Sequence, residues 1–176
     1  MDNVMQGRVV IAGRAEGEAL VANEPLSFWG GYDYHTGEII DRRHPLSGQI
    51  AARRVLCLPF TRGSSTTTAV LLEAIKAGTA PAAIITTGVD TFFALASIVA
   101  DAMYGQPVPL IALSAHDFAQ LRTGDLLAVD EDGRITQSTS EVFRDLGGLA
   151  STPPTPARNL GGLASTPPTP ARDLGS

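Results

Sequence analysis

Short apolar runs alternate with longer segments of helical periodicity through most of the chain, and that alternation predicts an α/β fold. Val9-Val10-Ile11 and Glu18-Ala19-Leu20-Val21 read as an opening pair of strands around Gly13 to Gly17. Ser27 to Gly37 mixes glycines and hydroxyl residues with Phe28, Trp29, Tyr32 and Tyr34, the composition of a structured loop, and Ile39-Ile40-Asp41 follows as a short strand. Arg54-Val55-Leu56-Cys57-Leu58-Pro59 is apolar almost throughout, as expected of a strand buried on both faces. From Thr67 to Lys76 the apolar residues at 69, 70, 71, 72 and 75 keep helical spacing. Ala82 to Thr86 predicts another buried strand, Thr91 to Tyr104 an apolar helix, and Val108 to Leu113 a further strand. Leu121 to Asp130 reads as a turn entering a strand, with Glu131-Asp132-Gly133-Arg134 as a hairpin turn before Ile135.

The pattern breaks near residue 143. Arg144 to Ala157 recurs with one change as Arg158 to Ala171, and a third copy begins at Arg172. This segment holds six of the chain's 12 prolines. Proline cannot donate a backbone hydrogen bond and glycine is entropically costly to fix, so residues 144–176 are expected to form a disordered Pro-rich tail after a domain spanning 1–143. A Pro-rich docking peptide is the functional alternative for that tail.

Composition narrows the chemistry. The 176 residues are 44% hydrophobic and 18% charged, enough for one ordinary core. No apolar run approaches the length needed to cross a bilayer, and Met1-Asp2-Asn3 does not open a signal peptide, so a soluble, cytoplasmic protein is expected. The net charge is −5, and the 13 basic residues form no run beyond Arg42-Arg43 and Arg53-Arg54, which argues against nucleic acid as a partner. Cys57 is the single cysteine. It excludes an internal disulfide and cannot by itself hold a structural zinc or an iron–sulfur cluster, so any such metal must come from elsewhere.

Thr61-Arg62-Gly63-Ser64-Ser65-Thr66 is the best candidate for chemistry, because it joins a buried strand to a helix. A helix N-terminus presents free N–H groups and partial positive charge, so Gly63, Ser64 and Ser65 would form an anion pocket with Arg62 as a fixed cation beside it. An alkoxide on a serine there would be stabilised by the amides and the guanidinium. The simpler reading is that Ser64, Ser65 or Thr66 caps the helix and Arg62 is a solvated charge. The Gly-Lys-Ser/Thr ending of a Walker loop is missing.

Several motifs in register carry a family resemblance. Ser27-Phe28-Trp29-Gly30-Gly31, Asp33, Thr36-Gly37, Ile40-Asp41, His44-Pro45-Leu46-Ser47-Gly48, Leu58-Pro59 and Arg62-Gly63-Ser64-Ser65-Thr66 resemble the small, swivelling-domain subunit of aconitase X. Leu71-Leu72-Glu73-Ala74, Ala80 to Ile84 and Leu121-Arg122-Thr123-Gly124-Asp125 continue it, over about residues 5–137. The resemblance implies a swivelling β/β/α layered sandwich. It implies a hydro-lyase that dehydrates a small hydroxy acid, cis-3-hydroxy-L-proline in the bacterial type and mevalonate 5-phosphate in the archaeal type. It also implies an aconitase X large subunit, as a heterodimer partner, that carries the iron or iron–sulfur cluster through its own cysteines. The small domain would contribute the catalytic base, Ser64, with Arg62, Gly63 and Ser65 binding substrate. An Arg-rich, Lys-poor composition with a Pro-Ala tail points to a high-GC bacterial source, and through it to the bacterial type and cis-3-hydroxy-L-proline. Thr61 stands where family members usually have Gly, and Thr67-Thr68 where they have Gly-Ser. Because β-branched residues resist the left-handed backbone open to glycine, the loop is expected to sit slightly differently. The alternative is a catalytically silent swivelling module that binds a partner subunit or a small anion.

The remaining residues predict structural roles. Phe28 and Trp29 read as core or loop-packing aromatics, His44 before Pro45 as stabilising a turn, and Asp33 and Asp41 as loop anchors through backbone N–H groups. His35, His44 and His116 lack clustered partners for a metal site, and Cys57 reads as an inert buried thiol.

Overall fold

A computed structural model describes residues 2–63 and 65–139. Ser64 lies outside the described residues, as does the repeat segment 144–176. The described strands are β1 (Asn3–Gln6), β2 (Arg8–Ile11), β3 (Ala15–Val21), β4 (Tyr32–Asp33), β5 (Glu38–Ile39), β6 (Val55–Cys57), β7 (Ala83–Thr86), β8 (Leu110–Ala112), β9 (Leu126–Val129) and β10 (Arg134–Ser138). The helices are α1 (Thr66–Ala77), α2 (Thr91–Tyr104) and α3 (Ala115–Phe118). Among them no helix is long and apolar enough to cross a membrane.

Eight strands form one mixed sheet in the order β1-β10-β9-β3-β6-β7-β8-β2, and β4 pairs with β5 apart from it. β3 is the hinge of the arrangement. Its first half, Ala15 to Glu18, runs antiparallel to β9, whereas Ala19 to Val21 run parallel to β6. The sequence of β3 anticipates this division: the first half alternates half-buried and exposed positions, and Ala19 and Leu20 are fully enclosed. β1 and β2 lie at opposite ends of the strand order yet are separated by Gly7 alone, which curls the sheet into two layers. A Cβ on Gly7 would stand 2.3 Å from Ile111 Cγ2, so only glycine fits where the chain turns between the layers.

The expected pairing of the first two strands does not occur. β2 pairs with β8, and β3 with β9 and β6. Val9 packs on one core while Val10 and Ile11 pack on the other, so β2 suits the parallel region, whereas Glu16 and Glu18 hold the start of β3 in the layer with a solvated face. Three elements escaped the sequence reading, β1, α3 and the two-residue β4 inside the aromatic loop.

Alternation along the buried strands builds two cores. Val55, Cys57, Ala83, Ile85 and Ile111 face Leu127, Val129 and Ile135 between the two β layers. Leu56, Leu58, Ile84 and Leu110 face Leu71, Ile75, Phe93 and Ala96 of the helices. This is the β/β/α sandwich expected. Burying Phe93 alone stabilises by about 1.5–3 kcal/mol, and its edge-on contact with Phe28, ring centroids 5.0 Å apart, adds shape to that core. α1 and α2 both stop at left-handed glycines, Gly78 and Gly105.

Candidate active site

The chain leaves β6 through Leu58, Pro59 and Phe60, and Thr61 to Gly63 then cross the N-terminal end of α1. Thr61 forms a parallel bridge with Leu26, and the Arg62 N–H donates to the Leu26 carbonyl at 3.0 Å. The N–H and the hydroxyl of Thr61 both donate to Asp90 Oδ2, at 2.7 and 2.8 Å. The other oxygen of Asp90 accepts from the Phe92 and Phe93 N–H groups, each at 3.1 Å, and so caps α2.

Gly63 has φ 131°, a backbone region that favours glycine. A Cβ there would stand 3.4 Å from Ser27 Oγ and 3.6 Å from Thr67 Oγ1, both ordinary contacts, so backbone conformation rather than crowding asks for glycine. Thr67 is fully buried, and its hydroxyl is the one buried side-chain polar atom among the described residues without a hydrogen-bond partner. Ser65 is the N-cap residue of α1 but has helical angles, φ −49° and ψ −17°, and its side chain makes no capping bond. The capping reading therefore fails for Ser65.

Arg62 is exposed and makes no ion pair among the described residues. It borders an open depression of about 210 Å3 with Glu24, Pro25, Asp41, Arg43 and His44. The depression offers two carboxylates and two guanidiniums. Its floor is stiff: Asp41 Oδ1 accepts from the Arg43 N–H at 3.0 Å, and the buried His44 accepts from the Leu46 N–H through Nδ1 at 3.2 Å. The proton is thereby assigned to Nε2, which faces the Glu24 carbonyl at 3.2 Å. His44 and Asp41 thus anchor turns, as expected. Asp33 does the same, accepting from the His35 N–H at 2.9 Å and the Thr36 hydroxyl at 3.0 Å. The His35 N–H is the main reason its carboxyl is held below the usual range.

The structure places Arg62, Gly63 and Ser65 in sequence at one end of α1, and of the three only Arg62 borders the depression with Glu24, Asp41, Arg43 and His44 from earlier loops. Phe28 is buried as expected, but Trp29 is 71% exposed, so the packing expected of it is wrong. Its neighbours explain this: Gly30 has φ 69° and turns the chain, leaving Phe28 inward against Tyr32 and Trp29 outward. Asp90 was missed. The Asp-Thr pair ahead of an apolar helix signals a cap, but nothing local ties it to Thr61.

Among the described residues, no group of three or more His, Cys, Asp or Glu stands ready to hold a metal ion. Cys57 is enclosed between the β layers, and burial pushes its thiol well above the ordinary range. These donors do not fit an iron centre or a cluster.

Layered sheets with a glycine-containing loop at a helix end beside a charged depression define an α/β domain with a polar surface site. Residues 4–137 match the aconitase X swivel domain, and the chain belongs to that family. It is 44% identical over 126 residues to the cis-3-hydroxy-L-proline dehydratase of Pseudomonas aeruginosa, covering 68% of this chain and 22% of that protein. It is 34% identical over 128 residues to the phosphomevalonate dehydratase small subunit of Thermococcus gammatolerans, covering 73% of this chain and 92% of that subunit. The chain thus spans about a fifth of the first relative and nearly all of the second. Among solved structures, the crystal structure of Thermococcus kodakaraensis aconitase X in its holo form matches with a TM-score of 0.69 at 33% identity, over 77% of this chain and 98% of that one.

Proposed function

We propose that this domain is the small subunit of an aconitase X-type hydro-lyase, and that it works with a large subunit to dehydrate cis-3-hydroxy-L-proline. The observation that carries the reading is the charge pattern around Arg62. A hydroxy amino acid brings a carboxylate and an ammonium, and the depression offers Arg62 and Arg43 for the first and Glu24 and Asp41 for the second. A phosphorylated hydroxy acid would meet the same two carboxylates as like charges. Mevalonate 5-phosphate is therefore the less favoured substrate.

In this reading Arg62 and the backbone of Gly63 and Ser65 orient the substrate carboxylate. Ser64 takes the proton from the carbon that bears the amine and carboxylate, the hydroxyl leaves the neighbouring carbon, and a carbon–carbon double bond forms with net loss of one water. In this reading the iron or iron–sulfur cluster would be carried by the large subunit, through its own cysteines, and would supply the Lewis acid for the leaving hydroxyl.

Co-expression with a cysteine-bearing aconitase-like large subunit tests the proposal. The purified pair should dehydrate cis-3-hydroxy-L-proline and turn over mevalonate 5-phosphate far more slowly. The reverse preference would overturn the substrate assignment. A tight pair inert on both would favour the silent module, which the Thr61 and Thr67-Thr68 departures support.

A further inference from the structure

We infer that Asp90 is the positioning residue for the Arg62 loop: its buried carboxylate fastens Thr61 to the N-terminus of α2 and so fixes where the Arg62 side chain starts. The inference rests on the preceding reading only for its kinetic arm.

The geometry gives one carboxylate four donors. Oδ2 receives the Thr61 N–H and hydroxyl at 2.7 and 2.8 Å, and Oδ1 receives Phe92 and Phe93 N–H groups at 3.1 Å. A helix cap needs only the second pair. The first pair crosses 29 positions of sequence and holds a residue, Thr61, whose successor carries the exposed guanidinium of the depression. Asp90 is itself 7% exposed and Thr61 8%, so the bonds are formed away from water, where charge-assisted hydrogen bonds are strongest. On the other side of the loop the Arg62 N–H is tied to the Leu26 carbonyl. The backbone of residues 61–62 is thus held from two directions, by Leu26 and by Asp90. α2 adds rigidity through Phe93, whose N–H donates to Asp90 and whose ring lies in the core against Phe28. Phe28 belongs to the loop that supplies Leu26, which closes the ring of contacts.

The arrangement also gives Thr61 a purpose where glycine is usual. Its hydroxyl supplies the fourth donor to Asp90, so the loop gains a bond at the position where it gave up backbone freedom. Only a carboxylate meets all four donors. An asparagine at 90 has one acceptor oxygen and an NH2 group that accepts nothing, so it keeps either the cap or the clamp.

Amide hydrogen exchange on the full chain, with Asp90→Asn and Thr61→Val, tests the clamp without reference to any reaction. Asp90→Asn should lower protection of the Thr61 and Arg62 amides by about ten-fold or more, and Thr61→Val by a smaller factor in the same direction, while Ile84 and Ile85 change by less than about two-fold. Thr61→Ser, which restores the hydroxyl, should return to wild-type protection. Unchanged protection of Arg62 in both variants would overturn the inference, as would loss confined to Phe93 and the following turn of α2, the mark of a cap alone. Thr61→Val keeps the inference testable should Asp90→Asn fail to fold. In the assembled pair, Thr61→Val should raise KM by about ten-fold with kcat little changed, and Thr61→Ser should rescue it. A wild-type pair with no turnover would count against the dehydratase reading, while the exchange data would still decide the clamp.

Discussion

Thr67 Oγ1 stands 3.6 Å from the place a Cβ would occupy on Gly63, enclosed by the protein and bonded to nothing. A buried hydroxyl in that state lowers stability by about 1–3 kcal/mol relative to a satisfied one. Thr67→Val keeps the shape and removes the polar atom. It should raise the urea midpoint of the full chain, equivalent to about 1 kcal/mol or more. A midpoint equal to or below wild type would show that the hydroxyl is satisfied in solution.

Ser65 and Ser64 should separate cleanly on substitution. Since the Ser65 side chain makes no capping bond, Ser65→Ala should change stability by less than about 0.5 kcal/mol. Ser64→Ala in the assembled enzyme should lower turnover by on the order of 10²–10⁴ if that hydroxyl is the base. Full turnover by the Ser64→Ala complex would return the serine to a structural role.

Tyr32 ties the aromatic loop to the end of α1, donating from its hydroxyl to the Thr79 carbonyl at 2.7 Å. Burial is the main cause that raises its ionisation above the ordinary tyrosine value, and the Asp33 charge adds to it. The folded state therefore keeps its proton after an unfolded tyrosine would lose it. This stability is fully present below about pH 10 and is lost as pH rises further. Tyr32→Phe should flatten that alkaline decline and lower stability at neutral pH by about 1 kcal/mol. An equally steep decline in Tyr32→Phe, measured by urea unfolding at pH 9 to 11.5, would assign it to another group.

Ser97, in the middle of α2, receives the Val108 N–H and donates to the Val108 carbonyl, both at 2.8 Å. It is 1% exposed, so no water can replace it. Ser97→Ala leaves two buried backbone groups unpaired and should destabilise by about 1–3 kcal/mol. The Arg62 loop should not notice: exchange of its amide should match wild type once referred to global stability. A coupled loss at Arg62 would show that α2 shifts as a body.

Cys57 shows how far local reasoning reaches, and Asp90 where it stops. The run Val55-Leu56-Cys57-Leu58 declared a strand buried on both faces by composition alone, because no single solvated face could accept four consecutive apolar residues. The helices at 66–77 and 91–104 were equally legible, since their spacing and following glycines are local signals. The family was legible too, through motifs whose residues are contiguous. β1 was not, because Asn3-Val4-Met5-Gln6 becomes a strand only by pairing with β10 across more than 120 residues. The partner of each early strand was likewise hidden, because pairing depends on which layer a strand joins and not on its neighbour in sequence.

For the site, the sequence determined the cation and the glycine, Arg62 and Gly63, in a strand-to-helix loop. Tertiary structure alone decided what surrounds them. Glu24, Asp41 and Arg43 face Arg62 only because Leu26 bridges to Thr61, and Asp90 reaches Thr61 only because α1 and α2 pack side by side over β6 and β7. Those contacts depend on hydrogen bonds between groups tens of residues apart, whose formation is paid in chain entropy and returned by burial, and no local pattern encodes that balance.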